Sequence, residues 1–136
     1  MIREINKDQL FLSLKSIDAD KNDKQIINDL IDTLKYHSNT CVGMAANMIG
    51  INKNIIAISI GIVPIIMINP KITYKAKPYN TKESCLSLTG ERQTKRYKEI
   101  EVDYLDTNFN KQHGKYSDFV AEVIQHEIDH LHGIII

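Results

Sequence analysis

The sequence predicts an α+β domain, with strands in the middle of the chain and helices toward both ends. Three observations lead there. Residues 22–36 carry Ile26, Ile27, Leu30, Ile31 and Leu34 at helical spacing. Two isoleucine-rich runs, 54–60 and 63–69, and an alternating run over 99–105 read as strands. Beyond Ser117 an apolar face at helical spacing returns and carries a His-Glu-Ile-Asp-His string, His126 to His130.

Taken in order, Leu10, Phe11, Leu12 and Leu14 suggest a packed N-terminal turn or short helix. The helix over 22–36 has Asp20 or Asn22 as candidate caps. The runs 54–60 and 63–69 are separated at Gly61 and read as paired strands of a largely buried sheet, with Asn69-Pro70 ending the second. Lys77 to Asn80 reads as turn-rich. Over 99–105 the alternation places Ile100, Val102 and Tyr104 on one face and Glu99, Glu101 and Asp103 on the other, as a half-exposed strand requires. Asp106-Thr107-Asn108 is a turn, and the last helix begins after Ser117, a candidate N-cap followed by acidic residues that suit the helix dipole. The chain carries no internal repeat or low-complexity stretch, so residues 1–136 read as one domain.

Composition narrows the class. Seventeen basic residues balance seventeen acidic ones, so net charge gives no reason for attraction to nucleic acid or to a membrane surface. No run of about 18 apolar residues offers a membrane span, and Arg3, Glu4, Lys7 and Asp8 interrupt any leader-like apolar stretch. The expected location is the cytoplasm, where Cys41 and Cys85 stay reduced.

The histidine string carries the chemistry. Residues four apart on a helix lie one above the other, so His126 and His130 can offer two imidazoles to one metal ion, with Glu127 placed as a general base for a water held there. Phe119 and Val123 lie on the same apolar face, so the metal would be partly buried. A catalytic metal usually keeps three protein ligands and an open position. The only histidine downstream, His132, lies two positions past His130 and points away, so a third ligand is expected upstream among Cys41, Cys85, His37, His113 and the carboxylates. His37 and His113 read as exposed residues at a helix end and in a loop, Cys41 as a small packed residue, and Asp129 as a group orienting a histidine or capping backbone. The Lys95-Arg96 pair reads as surface.

Three strings give the chain a family resemblance. Glu83-Ser84-Cys85-Leu86-Ser87 resembles the EGCLS motif of peptide deformylases, Gln125 to Gly133 resembles their QHExDHLxG motif, and Cys41 to Met48 resembles in part their GxGxAAxQ motif. All three stand in the family's order at about its spacing. The resemblance implies a deformylase-like α+β fold, with antiparallel or mixed sheet packed around the C-terminal metal helix. It implies Cys85 as the third ligand and the Leu86 N–H as an oxyanion donor. It further implies an extended substrate strand beside Val42 and Gly43, a methionine pocket lined by Phe119 and Val123, and a peptide contact from Arg92. The implied cofactor is one divalent ion, Fe²⁺ by family habit, with Zn²⁺, Ni²⁺ or Co²⁺ suited to the same ligands. The implied substrate is the N-formylmethionyl end of a nascent polypeptide, with formate released; association with the ribosome stays open.

The chain departs from the family strings at Cys41 and Ser84, where glycines are expected, and at Met48, where the family has glutamine. A thioether donates no hydrogen bond, and loss of one oxyanion-site donor typically costs about 10²–10³ in turnover. Asn47 is the adjacent amide. Two further readings follow: an amidohydrolase of this type with a different N-acyl substrate, and a metal-binding relative with impaired catalysis. Retention of Glu127 argues against the second, since a pure metal site needs no general base.

Overall fold

The computed structural model describes residues 1–61 and 63–136. Asp8 caps α1 (Gln9–Leu12) by accepting from the Leu10 N–H, so the short N-terminal helix forms where the leucines cluster. Asp20 accepts from the Asn22 N–H and opens a 3₁₀ turn, Lys21–Asp23, that leads into α2 (Lys24–Tyr36). Ile27, Leu30 and Leu34 bury the face that the spacing marks out.

Five antiparallel strands among the described residues follow in chain order: β1 (Gly43–Ala45), β2 (Ile55–Ile58), β3 (Ile65–Glu83), β4 (Arg92–Leu105) and β5 (Lys111–Ser117). Each strand pairs with the next, so β1 lies at one edge of the sheet. The isoleucine-rich runs do pair, with Ile56 opposite Met67 and Ile58 opposite Ile65. Every residue of β2 is buried, because α2 and the C-terminal helix α3 (Asp118–Leu131) both pack against it. A strand covered on two faces reads as an unbroken apolar run.

Three expectations need correction. Asn69-Pro70 does not end the second run: β3 continues to Glu83, and Lys77 to Asn80 lie within it. The proline is tolerated because the register with β4 shifts between Ile68 and Lys71, a bulge where no ladder N–H is required, and because β2 no longer flanks β3 there. Asn69 and Lys77 absorb the local bends at positive φ. β4 likewise begins at Arg92, ahead of the alternating stretch that reveals it. His113 stands on β5 rather than in a loop. It is exposed as expected, with its ring between the carboxylates of Asp103 and Glu101.

α3 closes the core. It packs on β1, β2, β4 and β5. Ser117 is its N-cap by backbone geometry, but its hydroxyl makes no capping bond, and Asp118 turns the chain at φ 53°. At the other end Gly133 sits at φ 77°, and the N–H groups of Gly133 and Ile134 bond back to His130 and Asp129, a Schellman closure. Asn47 and Ser16 donate to the carbonyls of His130 and Leu131, so this helix end is fully tied. Gln125 stitches the middle of α3 to β4, its side-chain amide exchanging two hydrogen bonds with the Tyr97 backbone at 2.9 and 2.8 Å. The helix is therefore held along its length. No helix among the described residues is long and apolar enough to cross a membrane.

Candidate metal centre

The histidines and the cysteine reach one point from two directions. His126 and His130 rise from the buried face of α3, and their Nε2 atoms face each other at 3.1 Å. Cys85 comes from the connection after β3, and its Sγ lies with one nitrogen of each imidazole inside a cluster no wider than 4.8 Å. Ligand atoms arranged tetrahedrally at bond lengths of about 2.0–2.3 Å stand roughly 3.3–3.6 Å apart. The cluster is therefore able to hold a metal ion. Its donor chemistry agrees: burial, with the charge of His126, pushes His130 down to about 3, so that ring is neutral with a lone pair to offer.

His126 is oriented from behind. Its Nδ1 donates to Glu83 Oε1 at 2.7 Å, which leaves Nε2 directed at the cluster. Glu83 is in turn gripped by Arg96, whose Nε and Nη2 donate to it at 2.7–3.1 Å, while Nη1 donates to Asp129 at 2.6 Å. Burial alone would raise the Glu83 carboxyl, but His126 and Arg96 hold it at about 2. Burial likewise works against the charge on His126, and Cys85 and Glu83 outweigh it, lifting the imidazole to about 10; a metal ion at Nε2 would bind by displacing the proton held there. Arg96 is 3% exposed, so the reading of Lys95-Arg96 as surface fails for the arginine. Strand alternation turns Lys95 outward and Arg96 under α3. Asp129 orients Arg96 rather than a histidine.

Beside the cluster lies a cavity of about 480 Å³. Val42, Gly43, Cys85, Leu86, Phe119, Val123, His126 and Glu127 line it, which gathers most of the residues singled out from sequence. Arg92 is not on its wall; its Nη1 donates to the Thr89 carbonyl. Glu127 is buried, its Oε1 has no hydrogen-bond partner, and burial pushes its carboxyl up to about 7. A carboxylate with a pKa near the working pH suits proton transfer. Gly43 is pressed against it: a Cβ there would stand 2.6 Å from Val123 Cγ1 and 2.9 Å from Glu127 Oε2.

Met48 also lines the cavity, and its Sδ accepts from the Ala45 N–H at 3.4 Å. Asn47 does not replace the missing amide, since its Nδ2 is spent on the His130 carbonyl. Cys41 is half-buried on the cavity wall, and its thiol donates to the Gly43 carbonyl at 2.8 Å. Burial, reinforced by the charges of Glu127 and Cys85, pushes that thiol up to about 12, so it remains a protonated donor and a poor nucleophile. Glu83 and Arg96 are the site residues that sequence reasoning leaves without a role. The available signal is the position of Glu83 two residues before Cys85.

Two imidazoles and a thiol converging near a buried carboxylate, beside a cavity on an α+β scaffold, define a metal-dependent hydrolase. A family model for polypeptide deformylase matches residues 1–136. The chain is 57% identical over 136 residues to a peptide deformylase of Clostridium beijerinckii, covering all of both chains. It superposes on the crystal structure of peptide deformylase from Thermotoga maritima with a TM-score of 0.89 at 28% identity, covering 99% of this chain and 95% of that one. The peptide deformylase of Ehrlichia chaffeensis in complex with actinonin gives a TM-score of 0.86 at 32% identity, over 97% of this chain and 84% of that one. The chain belongs to the polypeptide deformylase family. It is a hydrolase that removes the N-formyl group from peptides in a metal-dependent reaction.

Proposed function

We propose that residues 1–136 form one catalytic domain that deformylates N-formylmethionyl nascent polypeptides in the cytoplasm, with Cys85, His126 and His130 holding an Fe²⁺ ion. The observation that carries this is the meeting of those three side chains in one cluster beside a cavity that Cys85, His126 and Glu127 line. A divalent ion there supplies Lewis acidity, lowering the pKa of a water and polarising the formyl carbonyl. Glu127 takes the proton from the attacking water and returns one to the leaving α-amine, which its raised pKa suits. The Leu86 N–H, at the cavity wall, stabilises the oxyanion. Glu83 and Arg96 fix His126 so that its Nε2 faces the cluster. Val123, and Phe119 at the rim, wall the space for the methionine side chain. Arg92 contacts the peptide beyond the cavity. Zn²⁺, Ni²⁺ and Co²⁺ suit the same donors, and the ribosome is the place where such a substrate is met.

The test is formate release from a formyl-Met peptide by protein loaded anaerobically with Fe²⁺. Turnover is expected in the parent protein and is expected to fall by at least about 10² in Glu127→Gln with the metal retained. Absence of turnover from metal-loaded parent protein would overturn the proposal. Met48 favours a second reading, that this site is tuned to another N-acyl group, because the cavity presents a thioether where a side-chain donor would help hold the formyl oxygen. If deformylation is the reaction, Met48→Gln raises kcat on the formyl peptide; loss of turnover on a larger N-acyl group, with no gain on the formyl peptide, favours the second reading.

A further inference from the structure

β1 is an edge strand, and its free edge faces the cavity. The Ser59 N–H donates to the Val42 carbonyl at 2.7 Å, and the register then runs Gly43 opposite Ile58, Met44 opposite Ala57 and Ala45 opposite Ile56. In an antiparallel pair, bonded positions alternate with non-bonded ones. Val42 and Met44 are therefore spent on β2, and the N–H and C=O groups of Gly43 and Ala45 point away from it.

Two of those outward groups are closed by side-chain sulfur. Met48 Sδ accepts from the Ala45 N–H at 3.4 Å, and the Cys41 thiol donates to the Gly43 carbonyl at 2.8 Å. An extended peptide that adds to this edge pairs most fully by exchanging both hydrogen bonds with one residue, here Gly43. With the thiol in place, Gly43 offers its N–H freely but its carbonyl only in competition. Gly43 is also the residue pressed against Glu127, so a peptide seated there lies beside the catalytic carboxylate.

We propose that Cys41 is a positioning residue that governs peptide affinity: its thiol latches the Gly43 carbonyl in the free enzyme, and an extended formyl-peptide binds by displacing it. This rests on the deformylase reading above. Sulfur is a weak hydrogen-bond donor, so the latch yields to a peptide N–H at modest cost. A hydroxyl in the same place is a stronger competitor, and a methyl is none.

The experiment compares parent, Cys41→Ala and Cys41→Ser proteins, all metal-loaded, for kcat and KM on a formyl-Met tripeptide. The affinity of that tripeptide is also measured directly in the Glu127→Gln background, where it is not consumed. Cys41→Ala is expected to bind about two- to fivefold tighter than the parent, with the change in KM rather than kcat. Cys41→Ser is expected to bind no tighter than the parent. Equal or weaker binding by Cys41→Ala overturns the latch, as does tightening in Cys41→Ser to match it. These outcomes are separate from failure of the deformylase reading, which shows as absence of formate release from the parent protein.

Discussion

At the scale of single residues, the proposed metal ligands and their supports differ in how far sequence reveals them. His126 and His130 are legible because helical geometry alone brings positions four apart together. Cys85 is legible through the string around it. Glu83 and Arg96 are not, because their meeting depends on the β3–β4 register, in which Glu83 pairs with Arg92 and Arg96 with Tyr79, and on α3 packing against β4. A basic pair such as Lys95-Arg96 looks solvated until strand alternation sends one member inward. The role proposed for Glu83 and Arg96 is to hold His126, which Glu83 contacts directly, and a test follows. Glu83→Gln keeps an oxygen for the imidazole but removes the charge that Arg96 neutralises, so it should weaken metal binding by about 10–100-fold in a chelator competition. Breaking a buried ion pair also typically costs about 3–5 kcal/mol of stability, so urea unfolding should report the same change. Unchanged metal affinity in a folded variant would show that Glu83 does not support the site.

At the scale of elements, the helices were the readable part. Apolar spacing marks α2 and α3 closely, with Asp20 opening the turn that leads into the first and Ser117 standing at the start of the second, since each signal is local. The strands were readable only where burial imposes a pattern: β2 as an unbroken apolar run, and the later half of β4 as alternation. β1 is three residues long, and β5, Lys111–Ser117, is mostly exposed with no apolar period, so neither announces itself. The far half of β3 hides behind Asn69-Pro70 and Lys77-Pro78, which read as punctuation. Both prolines are admitted because one sits at a bulge and the other follows a residue at positive φ, costs that pairing with β4 outweighs. The site depends on this continuation, because it is the long β3 that carries Glu83 and delivers Cys85 to α3.

At the scale of the whole molecule, the N-terminal segment is tied across the fold. Asp29 on α2 is 1% exposed and receives the Met1 amino group, Gln25 and Arg3, while the Asn6 N–H donates to the Met48 carbonyl beside the cavity. Burial would raise the Asp29 carboxyl, but these donors hold it at about 2, below its ordinary value near 3.9. A carboxyl depressed in the folded state stabilises fully above its unfolded pKa, and that stabilisation is lost as pH falls toward and through about 2. Urea midpoints of the parent should therefore decline between about pH 4 and pH 2 more steeply than those of Asp29→Asn. Parallel curves would remove Asp29 from the acid response. The larger claim is that folding brings Cys85 to the two histidines of α3 to make one metal centre. X-ray absorption at the zinc edge of zinc-loaded protein tests this most directly. One sulfur scatterer at about 2.3 Å with nitrogen neighbours at about 2.0–2.1 Å is expected, the sulfur vanishing in Cys85→Ser. A shell without sulfur in the parent protein, or one unchanged by that substitution, would contradict it.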